Sequence, residues 1–268
     1  MDKLILTDTD ELSFREKDLY RTLRTNIEFT GIENKAIILT SCYAGDGKST
    51  VTYNLAVSMA ESGKNVLLID ADLRRSVFAK LHQVEGNPRG LSHYLAGRAS
   101  LQEVIYSTNK KRLFLIPVGV FPSNPTELLG NGRLEKGIEV LKGTFDYILI
   151  DTAPLGEVID AAVVAKYADA SIMVVSANTT SKTAFRSTLN QLKIANPNFL
   201  GAVLDRVEVS RGSYYGKKYG YYGKYGYYSK YGYQHGYGEE NLEDAGGDAK
   251  KNADAGVTLK TGGVSHGK

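Results

Sequence analysis

From residue 36 to about residue 209, short unbroken aliphatic runs alternate with longer segments whose apolar positions recur at helical spacing. The runs are AIILTS (36 to 41), NVLLID (65 to 70), RLFLIPV (112 to 118), DYILID (146 to 151), ASIMVVS (170 to 176) and LGAVLD (200 to 205). A strand with one wet face alternates apolar and polar residues, whereas continuous runs of this length suit strands buried on both faces. Helical patterns lie between them at roughly 49 to 62, 125 to 142, 157 to 167 and 180 to 195, with Gly63 placed to end the first. Ser100 and Glu103 have the spacing of a capping box, which opens a further short helix. This alternation predicts an α/β fold, a mostly parallel sheet flanked by helices on both faces, with ligands bound at the carboxyl ends of the strands. One more amphipathic helix is predicted from 10 to 29, with Leu12, Leu19, Leu23 and Ile27 on its apolar face.

Beyond Ser210 the pattern stops. The stretch from 213 to 238, SYYGKKYGYYGKYGYYSKYGYQHGYG, holds 11 of the 18 tyrosines among glycines and lysines, with neither a helical nor a strand period. Glycine raises the entropy cost of ordering such a segment, so the sequence predicts a disordered tail. Three regions follow: an N-terminal helical segment (1 to 35), a nucleotide-binding domain (36 to 210) and the tail (211 to 268).

Charge sharpens this division. Net charge is +3, yet residues 1 to 210 carry 24 basic and 24 acidic side chains, and residues 211 to 237 carry five basic and no acidic ones. A neutral body argues against general nucleic-acid binding, which needs a basic face on the folded part. No apolar run approaches the ~18 residues of a membrane helix, and the first residues are too acidic for a signal peptide, so a cytoplasmic protein is expected. The single cysteine, Cys42, excludes an internal disulfide and reads as a small buried filler.

The chemistry is concentrated at three strand ends. Between the first run and the first helix lies CYAGDGKST, residues 42 to 50. In a P-loop, successive backbone N–H groups cradle phosphates, and glycine is needed where a side chain would block their approach. Ala44, Gly45, Asp46, Gly47, Lys48, Ser49 and Thr50 form this cradle. Lys48 is placed to reach the β- and γ-phosphates, Ser49 to ligate Mg²⁺, and the following helix adds its N-terminal dipole. The general pattern G-x-x-x-x-G-K-[ST] asks for glycine where Cys42 stands. Asp70 and Asp72 close the second run and Asp151 the fourth, where a strand-terminal carboxylate holds Mg²⁺ through water. A second acidic strand end is surplus to simple hydrolysis but suits activation of an incoming hydroxyl.

The strings TSCYAGDGKST, VLLIDADLRR and YILIDTAP, with GLSHYLAG and NPTELL, resemble the Walker A, Walker A′ and Walker B set of the bacterial tyrosine kinases of capsule and exopolysaccharide synthesis. These kinases are related to the MinD and ParA-type P-loop ATPases. The similarity spans about 16 to 210, and the tyrosine-rich tail matches the family's autophosphorylation cluster. It implies an ATP- and Mg²⁺-dependent protein-tyrosine kinase with Lys48, Asp70 and Asp72 as catalytic residues. Asp70 would be the base or orienter of the tyrosine hydroxyl, and Ser49, Asp72 and Asp151 would serve the metal. The implied acceptors are Tyr214, Tyr215, Tyr219, Tyr221, Tyr222, Tyr225, Tyr227, Tyr228, Tyr231, Tyr233 and Tyr237. Also implied are a transmembrane activator that recruits the kinase to the inner face of the membrane, a ring-shaped homo-oligomer acting in trans, a cognate tyrosine phosphatase and further protein substrates. The competing class is a nucleotide-switched positioning ATPase, but those relatives carry a lysine where this chain has Tyr43.

Several positions depart from the family pattern. Its usual Pro-Gly-Glu is Ala44-Gly45-Asp46 here, which keeps the carboxylate. The oligomerisation motif E-x-x-R-x-x-R appears with Asp18, Arg21 and Arg24, one methylene shorter at its acid. Asp205 stands at the end of the last run, where asparagine is implicated in the adenine contact, and Ser76 replaces the proline that usually follows the two arginines.

Overall fold

The computed structural model describes residues 2–8, 11–177, 179–196 and 198–207. The 11 tail tyrosines and the predicted disorder of 211 to 268 lie outside the described residues, as does Asp10, the expected first residue of the N-terminal helix.

Eight strands form one sheet: β1 (Lys3–Leu4), β2 (Ala36–Ser41), β3 (Val66–Asp70), β4 (Tyr106–Thr108), β5 (Leu113–Ile116), β6 (Tyr147–Asp151), β7 (Ala170–Ser176) and β8 (Phe199–Asp205). Their order across the sheet is β1-β4-β5-β3-β6-β2-β7-β8, and every pairing is parallel except β4 with β5. The six strands read from the aliphatic runs are present. β1 and β4 are short and partly polar, and no apolar run announces them. β2, β3, β6 and β7 are buried along their whole length, the burial on both faces that their continuous apolar runs require.

Eight helices cover the sheet: α1 (Phe14–Glu28), α2 (Lys48–Glu61), α3 (Phe78–Leu81), α4 (Leu91–Leu95), α5 (Pro125–Leu129), α6 (Arg133–Lys142), α7 (Asp160–Ala165) and α8 (Lys182–Ala195). One core unites Ile38, Ile69, Ile148 and Ile150 with Leu91, Leu134, Ile138, Val164 and Leu192. The opposite core unites Ile37, Leu39, Leu68 and Leu149 with Ile27, Leu55, Met59 and Phe78. The alternate residues of each strand thus feed two separate cores, so the sheet is a shared wall.

Local chemistry moves several boundaries. The N-terminal helix begins after Ser13, not at residue 10, because Ser13 and Glu16 form a reciprocal capping box. Leu19 is exposed on that helix, and Tyr20, Leu23 and Ile27 form its inward face instead. The single helix expected over 125 to 142 is two, because Gly132 takes a left-handed φ of 77° that breaks the first from the second. Ser100 and Glu103 do form their capping box, but it opens only a 3-10 turn, Gln102–Val104. Among the described residues no helix is long and apolar enough to cross a membrane.

Candidate active site

The carboxyl ends of β2, β3, β6 and β8 meet at the loop between β2 and α2. This loop turns through Gly45 (φ 86°) and Gly47 (φ 89°), left-handed conformations that cost glycine nothing. A Cβ at position 47 would collide with the carboxylate of Asp205, so the end of β8 closes directly over the loop. On the other side, Gly156 approaches so closely that a Cβ there would strike the Cys42 carbonyl. Leu155 N–H, beside it, bonds the Ser41 carbonyl at 2.9 Å. Cys42 is fully buried, a filler beneath the loop, and burial pushes its thiol pKa up.

The loop has two arms with different partners. On the outer arm, Asp46 accepts from Tyr43 N–H at 2.9 Å and from the hydroxyls of Thr179 and Thr180, and Glu157 accepts from Ala44 N–H at 2.7 Å. Ala44 and Asp46 therefore shape the cradle from outside. Glu157 carries no sequence signal, since only the fold brings it to the loop. The inner arm runs into the first turn of α2, where Gly47 lies at the helix start and no side chain caps it. Uncapped N–H groups at a helix N-terminus, with the helix dipole behind them, form an anion site.

Lys48 projects into a buried acidic nest. Its Nζ lies 3.4 Å from Asp72 Oδ2, 3.5 Å from Asp151 Oδ1 and 3.3 Å from Ser49 Oγ. Burial lowers the lysine's proton affinity, but the charges of Asp151, Asp72 and Asp70 more than reverse this, so its pKa lies above the ordinary value. Asp70 and Asp151 are direct register partners on β3 and β6, both almost fully buried. Asp70 has its pKa pushed up to about 8 by burial and then by the neighbouring Asp151 charge. Burial also raises Asp151 above the usual carboxylate range, against the pull of Lys48. The sequence-derived set Lys48, Ser49, Asp70, Asp72 and Asp151 thus converges in one place, from the β2–α2 loop and two adjacent strand ends.

Mg²⁺ and a polyphosphate fit this arrangement. Asp151 Oδ1 is buried and makes no hydrogen bond, an acceptor left without a donor. Among the described residues no three His, Cys, Asp or Glu side chains form a ready metal cage. Mg²⁺ does not need one, because it keeps several waters and takes one or two carboxylates plus phosphate oxygens. Ser49, Asp72 and Asp151 would hold it there.

A second cluster braces the site. Arg74 donates to Asp160 through Nε at 2.6 Å and through a terminal nitrogen at 3.1 Å. Thr126 completes it, accepting from Arg74 at 2.8 Å and donating to Asp160 at 2.5 Å. This bidentate pair ties the loop after β3 to the starts of α5 and α7. Of the three residues at the oligomerisation positions, Asp18 and Arg21 are exposed. Arg24 instead turns inward to donate to the Ser58 carbonyl of α2 at 2.9 Å and pairs with Glu28 at 3.7 Å.

A mostly parallel sheet with a phosphate cradle after β2 and strand-end carboxylates beside it defines a P-loop nucleotide-binding protein. A family model described as an AAA domain matches residues 34–199. Tyrosine-protein kinase CpsD of Streptococcus agalactiae is 41% identical over 209 residues, covering 78% of this chain and 90% of that protein. Tyrosine-protein kinase YwqD of Bacillus subtilis is 34% identical over 225 residues, covering 83% and 92%. Among solved structures, the kinase domain of Escherichia coli tyrosine kinase ETK superposes with a TM-score of 0.67 at 33% identity, covering 74% of this chain and 79% of that one. The chain belongs to the bacterial tyrosine-kinase family.

Proposed function

We propose that this chain is an ATP-dependent protein-tyrosine kinase that phosphorylates its own C-terminal tyrosines and thereby regulates synthesis and export of capsular or extracellular polysaccharide. The observation that carries this reading is the convergence of three buried carboxylates from two neighbouring strand ends on the P-loop lysine. Hydrolysis alone would leave one acidic strand end without a task.

In the proposed reaction the acceptor phenol oxygen bonds to the γ-phosphorus, the bond to the β,γ-bridging oxygen breaks, and ADP departs. Backbone N–H groups of the inner arm orient the phosphates, and Lys48 neutralises charge on the β- and γ-oxygens. Bound Mg²⁺ would supply further charge neutralisation across the same oxygens. Asp70 takes the phenolic proton. A free phenol has a pKa near ~10, and an ordinary carboxylate near ~4 is a weak base for it. At about 8, Asp70 lies much closer to its partner. Asp205, at the loop beside Gly47, takes the place of the family's base-contacting asparagine.

The 11 tail tyrosines are the proposed acceptors, delivered to a neighbouring subunit of an oligomer assembled through the face of α1 bearing Asp18 and Arg21. Each phosphate adds about −1.5 to −2 charges, so full modification would take the segment from +5 to roughly −11 to −17 and drive it from the acidic site. A transmembrane activator and a tyrosine phosphatase complete the proposed cycle, placing the kinase at the inner face of the membrane.

The test is incubation of the full chain with Mg-ATP followed by phosphopeptide mass spectrometry. Phosphotyrosine between residues 214 and 237, lost in Lys48→Met, is the expected result. ATP turnover with no modified tyrosine would instead assign a nucleotide-switched ATPase.

A further inference from the structure

We propose that Ser76 is a positioning residue for phosphoryl transfer, holding the Asp70 carboxylate in the orientation from which it meets the acceptor hydroxyl. Ser76 acts through Asp70, so this inference rests on Asp70 being the base.

Three carboxylates share the nest, but Lys48 pairs with only two of them, Asp72 and Asp151. Asp70 sits beside Asp151 on the adjacent strand with no cation paired to it. A buried carboxylate next to a like charge turns away or takes up a proton unless neutral donors hold it. Among the described residues, Asp70 has two such donors. Asp72 N–H reaches Oδ1 at 3.3 Å, and the Ser76 hydroxyl makes a short hydrogen bond to Oδ2. The first comes with the backbone of the loop; the second depends on one side chain.

That side chain has little freedom. Ser76 Oγ accepts from Phe78 N–H at 3.1 Å at the start of α3, which leaves its own proton directed at Asp70. Phe78 is itself anchored, almost fully buried, with its ring edge-on to Tyr53 at 6.0 Å and 4.4 Å from His82. Tyr53 belongs to α2, the helix that begins with Lys48. An aromatic stack thus fixes Ser76 relative to the same helix that positions the phosphates, so base and phosphate are referenced to one rigid element. The proline usual in the family has no hydroxyl to offer, so the device belongs to this chain.

The experiment measures initial rates of phosphotyrosine formation on the full chain across a range of Mg-ATP concentrations, with nucleotide affinity and melting temperature as controls. Ser76→Ala should lower kcat about tenfold with KM for ATP unchanged, because the lost contact aligns the acceptor side and not the nucleotide. Ser76→Thr, which keeps the hydroxyl, should restore kcat to within about twofold of the wild type. A Ser76→Ala rate equal to wild type, or an equal loss in both variants, overturns the inference. Asp70→Asn separates the two layers. If it abolishes transfer while Ser76→Ala is silent, only the role of Ser76 fails; if Asp70→Asn transfers normally, the assignment of the base fails.

Discussion

Two sets of carboxylates flank the same loop and do opposite work. Asp46 and Glu157 stand outside it and accept from main-chain amides, Tyr43 N–H and Ala44 N–H. Asp70, Asp72 and Asp151 stand inside, buried and gathered around the Lys48 ammonium. A carboxylate held by backbone donors fixes shape and leaves nothing over for chemistry. A carboxylate held by one shared lysine retains an open lone pair and a perturbed proton affinity, which is what a base or a metal ligand needs. The partner, more than the residue type, decides the role.

Lys48→Met breaks this contrast most severely. It removes the cation from the inner set, so phosphotyrosine formation should fall about a hundredfold or more. The unpaired buried charges should also destabilise the metal-free fold by about 3–5 kcal/mol, read by denaturant unfolding. An unchanged unfolding midpoint would show that the inner carboxylates do not depend on the lysine.

Asp70→Asn probes the inner set by pH. In the folded chain Asp70 binds its proton up to about pH 8, against an ordinary value of 3.8, so the folded state holds the proton more tightly. The stability from this group is complete below the unfolded value and is lost as pH rises through the folded one, by at most about 1.4 kcal/mol per pH unit. Asparagine removes that loss. Without nucleotide or magnesium, the variant should gain on the wild type from about pH 4 to 8 and hold a constant lead above. A lead independent of pH would place the proton elsewhere.

The outer set should respond more mildly. Asp46→Ala removes three accepted hydrogen bonds and should weaken ATP binding about tenfold, whereas the exposed Glu157→Ala should weaken it about threefold, by equilibrium titration with a fluorescent analogue. Equal effects would erase the distinction between a buried clamp and an exposed one. The smallest effect is expected from Arg24→Ala, which unhooks α1 from α2 at a cost of about 1 kcal/mol, or a melting temperature lower by about 2–4 °C.

The catalytic centre was legible in the sequence because its residues close apolar runs. A carboxylate directly after VLLI or YILI has one place to be in a parallel sheet, and CYAGDGKST sits between a run and a helix. The bracing residues were not legible, since Glu157 meets Ala44 across 113 positions and Arg74 meets Asp160 across 86. Short elements escaped for a different reason. β4 reads YST and α3 is four residues long, too few for any period to emerge. The break at Gly130 to Gly132 could have been read from its two glycines, whereas the apolar pattern continues across it and predicts one helix.

The grip of Arg24 on Ser58 has a mechanical consequence. Ser58 lies on the same straight helix as Lys48, ten residues further along, a span of about 15 Å. A short helix does not buckle at that length, so it behaves as a crankshaft with the phosphate cradle at one end and α1 bolted on near the other. Phe14, Leu19 and Arg21 lie open on the far side of α1. A push or pull delivered there arrives at the nucleotide as torque, with no messenger crossing the interior.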